Sequence, residues 1–166
     1  MSAPRRPLAQ SGDPRHIKVV LDRQAHCTRA GLIRDGQRLA EVALAGDPPA
    51  WLEPTLRTMA ELLDLPDNWN SYGANPIDPA QVAWALDLLA RTMKLDSPTP
   101  TVVPTSHGGV ELEWHLRGVD LEVHAISPRG VYFYCQDHVR GTEEERELDG
   151  DLSPLVDALT ELARRG

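Results

Sequence analysis

Five residues able to move protons or ligate metals recur with period two in the second half of the chain. Glu111, Glu113 and His115 alternate with Val110, Leu112, Trp114 and Leu116, and Glu122 and His124 alternate with Leu121, Val123 and Ala125. Such alternation sends apolar side chains to one side of a strand and polar ones to the other. A tight turn between the two runs then brings carboxylates and imidazoles onto one face. These are the donors that Zn²⁺ and Mn²⁺ take, and Glu or His serves as acid or base in hydrolysis. The plainer reading is a solvated face of cross-strand charge pairs, each contributing a few tenths of a kcal/mol to about 1. No HExxH, no CxxC and no ligand from a third element accompanies the set. The plainer reading is therefore preferred, with no catalytic residue, metal or cofactor assigned. Glu113, His115, Glu122 and His124 stand as the alternative metal set.

A second cluster is the run Leu65-Pro66-Asp67-Asn68-Trp69-Asn70-Ser71-Tyr72-Gly73-Ala74-Asn75-Pro76-Ile77. Its Pro, Gly and Asn content excludes a long helix or strand. Yet it carries a Trp and a Tyr, the types that anchor binding surfaces. Either Trp69 plugs the base of a helix pair, with Gly73 at positive φ and Asn68 and Asn70 bonding the local backbone, or Trp69, Asn70 and Tyr72 form a recognition surface. The acidic run Glu143-Glu144-Glu145, expected in a loop spanning 137–150, is a third place where a basic partner would dock. Cys27 and Cys135 lack a spacing motif and an activating neighbour, so they read as free, buried, inert thiols. His107-Gly108-Gly109 reads as a hairpin-entry loop, since no helix follows to supply a dipole for an anion.

The elements that position these residues follow from periodicity. Residues 1–15, rich in Pro and Arg and including Arg5 and Arg6, read as a mobile arm, and 16–166 as one domain. Ile17, Val19 and Leu21 predict a strand, and Asp35-Gly36 between apolar runs predicts a hairpin. Leu52, Leu56, Met59 and Leu63 predict a helix starting near Trp51–Glu53, because Pro54 fits only its first turn. Asp78 reads as the N-cap of a second helix. Pro79 takes its first position, Gln81 completes a capping-box-like pair, and Ile77 and Val82 sit where a hydrophobic staple forms. Its stripe Val82, Leu86, Leu89 and Met93 is widened by Trp84 and Leu88, so cover on more than one side is expected.

After the connector Ser97-Pro98-Thr99-Pro100 comes the polar hairpin. Turning it at Gly118-Val119 sets Arg117 against Asp120, His115 against Glu122 and Glu113 against His124. It also sets Trp114 against Val123 and Leu116 against Leu121. A turn at Ser127-Pro128-Arg129-Gly130 leads to a third strand, Val131–Cys135. Ser153-Pro154 is expected to cap a last helix. The fold class expected is α+β: one mostly antiparallel sheet of about six strands, in the order βββ-α-loop-α-βββ-α, with helices on one face.

Asn68-Trp69-Asn70-Ser71-Tyr72-Gly73-Ala74 with Pro76-Ile77 resembles an NWDGYGA-x-P-I segment, and Gly108-Gly109-Val110-Glu111-Leu112-Glu113-Trp114 resembles GG-[IV]-x-L-E-W. The pair is similar to a group of small bacterial and phage-associated proteins, over about residues 60–136. Asn70-Ser71 stands where that group has Asp-Gly, which removes a carboxylate. The resemblance implies a protein of an accessory module and brings no activity with it.

Acidic residues number 25 against 17 Lys and Arg, a net charge of −8. That argues against nucleic acid as direct ligand and for a protein partner with a basic surface. The start lacks a signal-peptide pattern and no long apolar run occurs, so neither secretion nor membrane spanning is expected and the cytoplasm is. The function expected is a non-enzymatic, partner-binding protein of antitoxin-like, immunity-like or complex-subunit type. The competing class is a metal-dependent hydrolase or nuclease using the polar hairpin face.

Overall fold

The Asp35-Gly36 pair does what its chemistry predicts. Both residues take positive φ (51° and 78°), closing a hairpin with Arg34 opposite Gln37. A computed structural model describes residues 16–166, so the arm expected at 1–15, with Arg5 and Arg6, lies outside the described residues. Strands β1 (Lys18–Gln24), β2 (Cys27–Arg34) and β3 (Gln37–Ala45) form a three-stranded antiparallel sheet in that order. Helices α1 (Leu52–Leu63) and α2 (Pro79–Thr92) follow. Then β4 (Thr101–Pro104), β5 (Val110–Leu116), β6 (Val119–Ala125), β7 (Gly130–Asp137) and β8 (Thr142–Asp149) make a five-stranded antiparallel meander, and α3 (Ser153–Arg164) ends the chain.

The class is α+β, but the expected arrangement is corrected. The described residues form two antiparallel sheets, of three and five strands, rather than one sheet of about six. Helix α1 packs against β1, β2 and β4, and α2 against β3, β5, β6 and α3. Helices contacting both sheets replace the expected single covered face. One hydrophobic cluster runs through both sheets and all three helices, from Leu32 and Val42 through Trp51, Leu86 and Leu89 to Leu121, Phe133 and Leu159. The wide apolar stripe of α2 is explained by this double contact. Among the described residues, no helix is long and apolar enough to cross a membrane.

The acidic segment at 137–150 is also corrected. Most of it is β8, paired along its length with β7. Its sequence hides it, because seven of its residues are exposed and only Leu148 is buried. With no apolar alternation, period two leaves no trace. Strand β4 is hidden for another reason: four residues at the end of a Pro-rich connector are too few to show a period.

The β5–β6 register is shifted by two residues from expectation. The turn is Arg117-Gly118, both at positive φ (56° and 74°), with Leu116 opposite Val119. This two-residue turn suits strand twist, and it outweighs the charge pairing that favoured Gly118-Val119. A slip of two keeps every side chain on its face. Trp114 is therefore in the core as expected, 1% exposed, donating its indole N–H to the Pro98 carbonyl at 2.8 Å. Its cross-strand neighbour is Leu121 rather than Val123.

Two caps differ from their sequence reading. Asp78 does cap α2, its carboxylate accepting the Ala80 N–H at 2.8 Å, but the buried Oε1 of Gln81 has no hydrogen-bond partner, so the capping box is half made. In α3 the cap position is Leu152, and Ser153 lies inside the helix. There Asp151 accepts from the Ser153 N–H (3.0 Å) and hydroxyl (2.6 Å).

Candidate functional site

Alternation along the meander builds a face that no single strand reveals. Val110, Leu112, Trp114, Leu121, Val123, Val131 and Phe133 are buried on one side. On the other side β5 presents Glu111, Glu113 and His115, and β6 presents Asp120, Glu122 and His124. Strand β7 presents Tyr132, Tyr134 and Gln136, and β8 presents Glu143, Glu145 and Glu147. All of these are half-buried or exposed. None of the outward positions of β4 to β8 is Lys or Arg.

The corrected register changes the electrostatics of this face. Glu113 now faces Glu122 rather than His124, and His115 faces Asp120 rather than Glu122. Like charges directly opposite across a strand pair destabilise it. Partial burial, then the charges of Glu122 and Glu113, push the Glu111 carboxyl up from its ordinary range. One end of the face is better matched. His115 is bonded to Asp120 (2.8 Å) and Glu113 (3.2 Å), and His138, from the β7–β8 turn, is bonded to Asp120 at 2.6 Å. The hydrogen bond to Asp120 raises the His115 imidazole, and the hydrogen bonds from His138 and His115 lower the Asp120 carboxyl. His124 is pushed down by burial alone. The Tyr132 hydroxyl donates to Glu145 at 3.0 Å, and that of Tyr134 to Glu143 at 3.3 Å. Both phenols are raised, Tyr132 first by its bond to Glu145 and Tyr134 first by desolvation.

The structure sorts the predicted residues. Glu143 and Glu145 belong to the face. Glu144 does not: it points to the opposite side of β8, opposite Cys135, paired with Arg146 at 2.8 Å. Of the alternative metal set, Glu113, His115, Glu122 and His124 share the face, but His115 is engaged by Glu113 and Asp120 while His124 lies opposite Glu111. Among the described residues, no group of three or more His, Cys, Asp or Glu side chains is placed to hold a metal ion. Tyr132, Tyr134, Asp120, His138 and Glu147 share or border this face without being among the site residues expected from sequence, although alternation places Asp120 on the polar side of its strand. The run Val131-Tyr132-Phe133-Tyr134 carries the alternation that would have found the tyrosines.

The aromatic loop is a self-bonded ring. The Asn68 N–H donates to the Ala74 carbonyl (2.8 Å), and the Asn68 side-chain oxygen accepts the Gly73 N–H (2.6 Å). The Asn70 side-chain oxygen accepts the N–H groups of Tyr72 (2.9 Å) and Ala74 (3.1 Å). Asn68, Ser71 and Gly73 all take positive φ. Trp69 is half-buried, its indole N–H on the Asn75 carbonyl at 3.1 Å. Tyr72 is 92% exposed. A half-buried, hydrogen-bonded Trp and a displayed Tyr thus share one loop.

The loop's foot is fastened to the β4–β5 turn. The Asn75 N–H donates to Ser106 O (2.9 Å), and the Asp78 N–H to Gly108 O (2.8 Å). A Cβ on Gly108 would lie 2.8 Å from the Pro76 carbonyl, and one on Gly109 would lie 2.9 Å from His124 Nε2. Both glycines are therefore close-approach residues, and the second abuts the acidic face at His124. Cys27 and Cys135 are half-buried rather than buried, and burial raises the Cys135 thiol, which disfavours a thiolate. No family model, curated protein or solved structure matches this chain.

Proposed function

We propose that this chain is a non-enzymatic binding protein whose outer five-stranded face receives a basic surface of a protein partner. The observation that carries the reading is the placement of Glu113 against Glu122 in a face bearing carboxylates on three strands and neither Lys nor Arg at any outward strand position. A sheet selected only for stability would pair such charges across strands. A face that places no Lys or Arg beside its carboxylates holds them for a partner's Lys and Arg, and the tyrosines supply rigid contact area beside them. The aromatic loop extends the surface, with Tyr72 as anchor and the corner at Gly109 and His124 joining the two. The resemblance to accessory-module proteins is compatible with an antitoxin-like, immunity-like or complex-subunit role.

The test is affinity capture from the native host with the wild-type chain and with Glu122→Lys/Glu145→Lys, followed by calorimetry on each purified candidate. The expected partner is basic, binds more weakly as salt rises, and is lost by the charge-reversed chain. Equal binding by a folded charge-reversed chain refutes the reading.

A further inference from the structure

The four sheet edges are not equally protected. Exposed strand edges invite pairing with other chains unless charge, brevity, proline or a covering element blunts them. Strand β3 has α2 packed along it. Strand β4 is four residues long and ends in Pro104. Strand β8 carries charge at most of its positions. Strand β1 is less defended: it is seven residues long, has no proline, carries Val19-Val20-Leu21 between Lys18 and Asp22-Arg23, and among the described residues pairs only with β2, with α1 packed against it.

The exposure pattern shows something left uncovered. Val19 points inward, in the same cross-strand row as Leu32, yet it is 36% exposed while Leu32 is 0%. Val20 points outward at 40% exposure, and its neighbour on β2 is Gly31, which has no side chain to cover it. Among the described residues, no other strand exposes two adjacent large apolar side chains.

We propose that β1 pairs antiparallel with β1 of a second copy, joining two three-stranded sheets into one of six strands. The sequence is self-complementary in one register. A two-fold axis normal to the sheet allows only registers that keep inward residues opposite inward ones. Placing Val20 on the axis sets Val20 against Val20 once, and Val19 against Leu21 and Lys18 against Asp22 twice each by symmetry. The inner row is then apolar throughout its centre, and the outer row alternates an apolar contact with opposite charges. Moving the axis to Leu21 sets Val20 against Asp22 and Val19 against Arg23. Moving it to Asp22 sets two carboxylates face to face. The inference is independent of the acidic face, which belongs to the other sheet.

Sedimentation equilibrium of the full chain, from low micromolar to near-millimolar concentration, tests it. A reversible species of twice the 18.3 kDa chain mass is expected. Asp22→Lys should weaken it by roughly tenfold or more, and the swap Lys18→Asp/Asp22→Lys should restore it. Under oxidation, Val20→Cys should cross-link to itself, because only residues on the axis come within disulfide reach, while Val19→Cys should not. A full chain that stays monomeric at all concentrations overturns the proposal and leaves β1 to be covered in cis, by residues 1–15 or otherwise. A dimer unmoved by Asp22→Lys and not cross-linked through Val20→Cys also overturns it, since the contact would lie elsewhere.

Discussion

Asn70 shows what one side chain does for the aromatic loop. Its amide oxygen collects the N–H groups of Tyr72 and Ala74, and the next residue, Ser71, sits at φ 64°. An Asp-Gly pair at these positions, as in the resembling segment, would do the same work: a carboxylate accepts both N–H groups and glycine takes positive φ freely. The bonds that Asn70 makes to Tyr72 and Ala74 are thus conformational work that an Asp there would do equally. Asn70→Ala should lower unfolding free energy by about 1–2 kcal/mol in urea melts, while Asn70→Asp should keep it. Equal melts for Asn70→Ala and wild type would show that the loop is held from elsewhere. Tyr72→Ala should leave the melt unchanged, since the ring is solvated, and weaken partner binding by ~1–2 kcal/mol or more. The turn chemistry here was legible from Asn and Gly alone. Which aromatic is displayed was not, because Trp69 is fixed by bonding to Asn75, and the loop's orientation by a turn thirty residues away in sequence.

At the scale of elements, the polar hairpin separates what period fixes from what turns fix. Both faces of β5 and β6 were legible, since an even slip cannot move Trp114 out of the core or Glu113 into it. Register was not, because the pairing of charges is weaker than the preference of a two-residue turn for left-handed residues. Strand β8 was illegible because both its faces are wet, and it is recognised only through its pairing with β7. Trp114→Ala should cost roughly 3–5 kcal/mol, from the lost burial and the orphaned Pro98 carbonyl. Glu122→Gln should act in the opposite direction on the free protein. It removes the like-charge contact with Glu113 and should raise stability by a few tenths of a kcal/mol to about 1, while weakening the basic partner's binding. Parallel melts and titrations on the same sample check both. A drop in stability with unchanged affinity would mean that Glu122 serves the sheet and not a partner.

For the whole molecule, the telling contact is the one that fastens α3 to the five-stranded sheet. Asp137 ends β7, buried, and Arg165 follows α3. The guanidinium bonds Asp137 at 2.5 Å and 3.1 Å and Glu161 at 2.9 Å, and the Asp137 carboxylate also accepts the Val139 and Arg140 N–H groups. Arg117, from the β5–β6 turn, donates to the Leu162 carbonyl. None of this was legible in sequence, because the partners lie in separate elements and resemble ordinary surface charges. Arg165 holds the Asp137 carboxyl at about 2, against an ordinary 3.8, and Arg164 and then Arg165 hold Glu161 at about 2, against 4.5. A carboxyl depressed in the folded state stabilises above its unfolded value and loses that contribution as pH falls through the folded one. The window is thus about pH 4.5 down to 2. Arg165→Met keeps most of the side chain's apolar stem and removes the cation. Its deficit relative to wild type should be full at pH 6–7, shrink below pH 4.5 and nearly vanish by pH 2. Urea melts across that range read the difference, and amide exchange should place the loss first in α3. A deficit independent of pH would mean that Arg165 acts by packing alone.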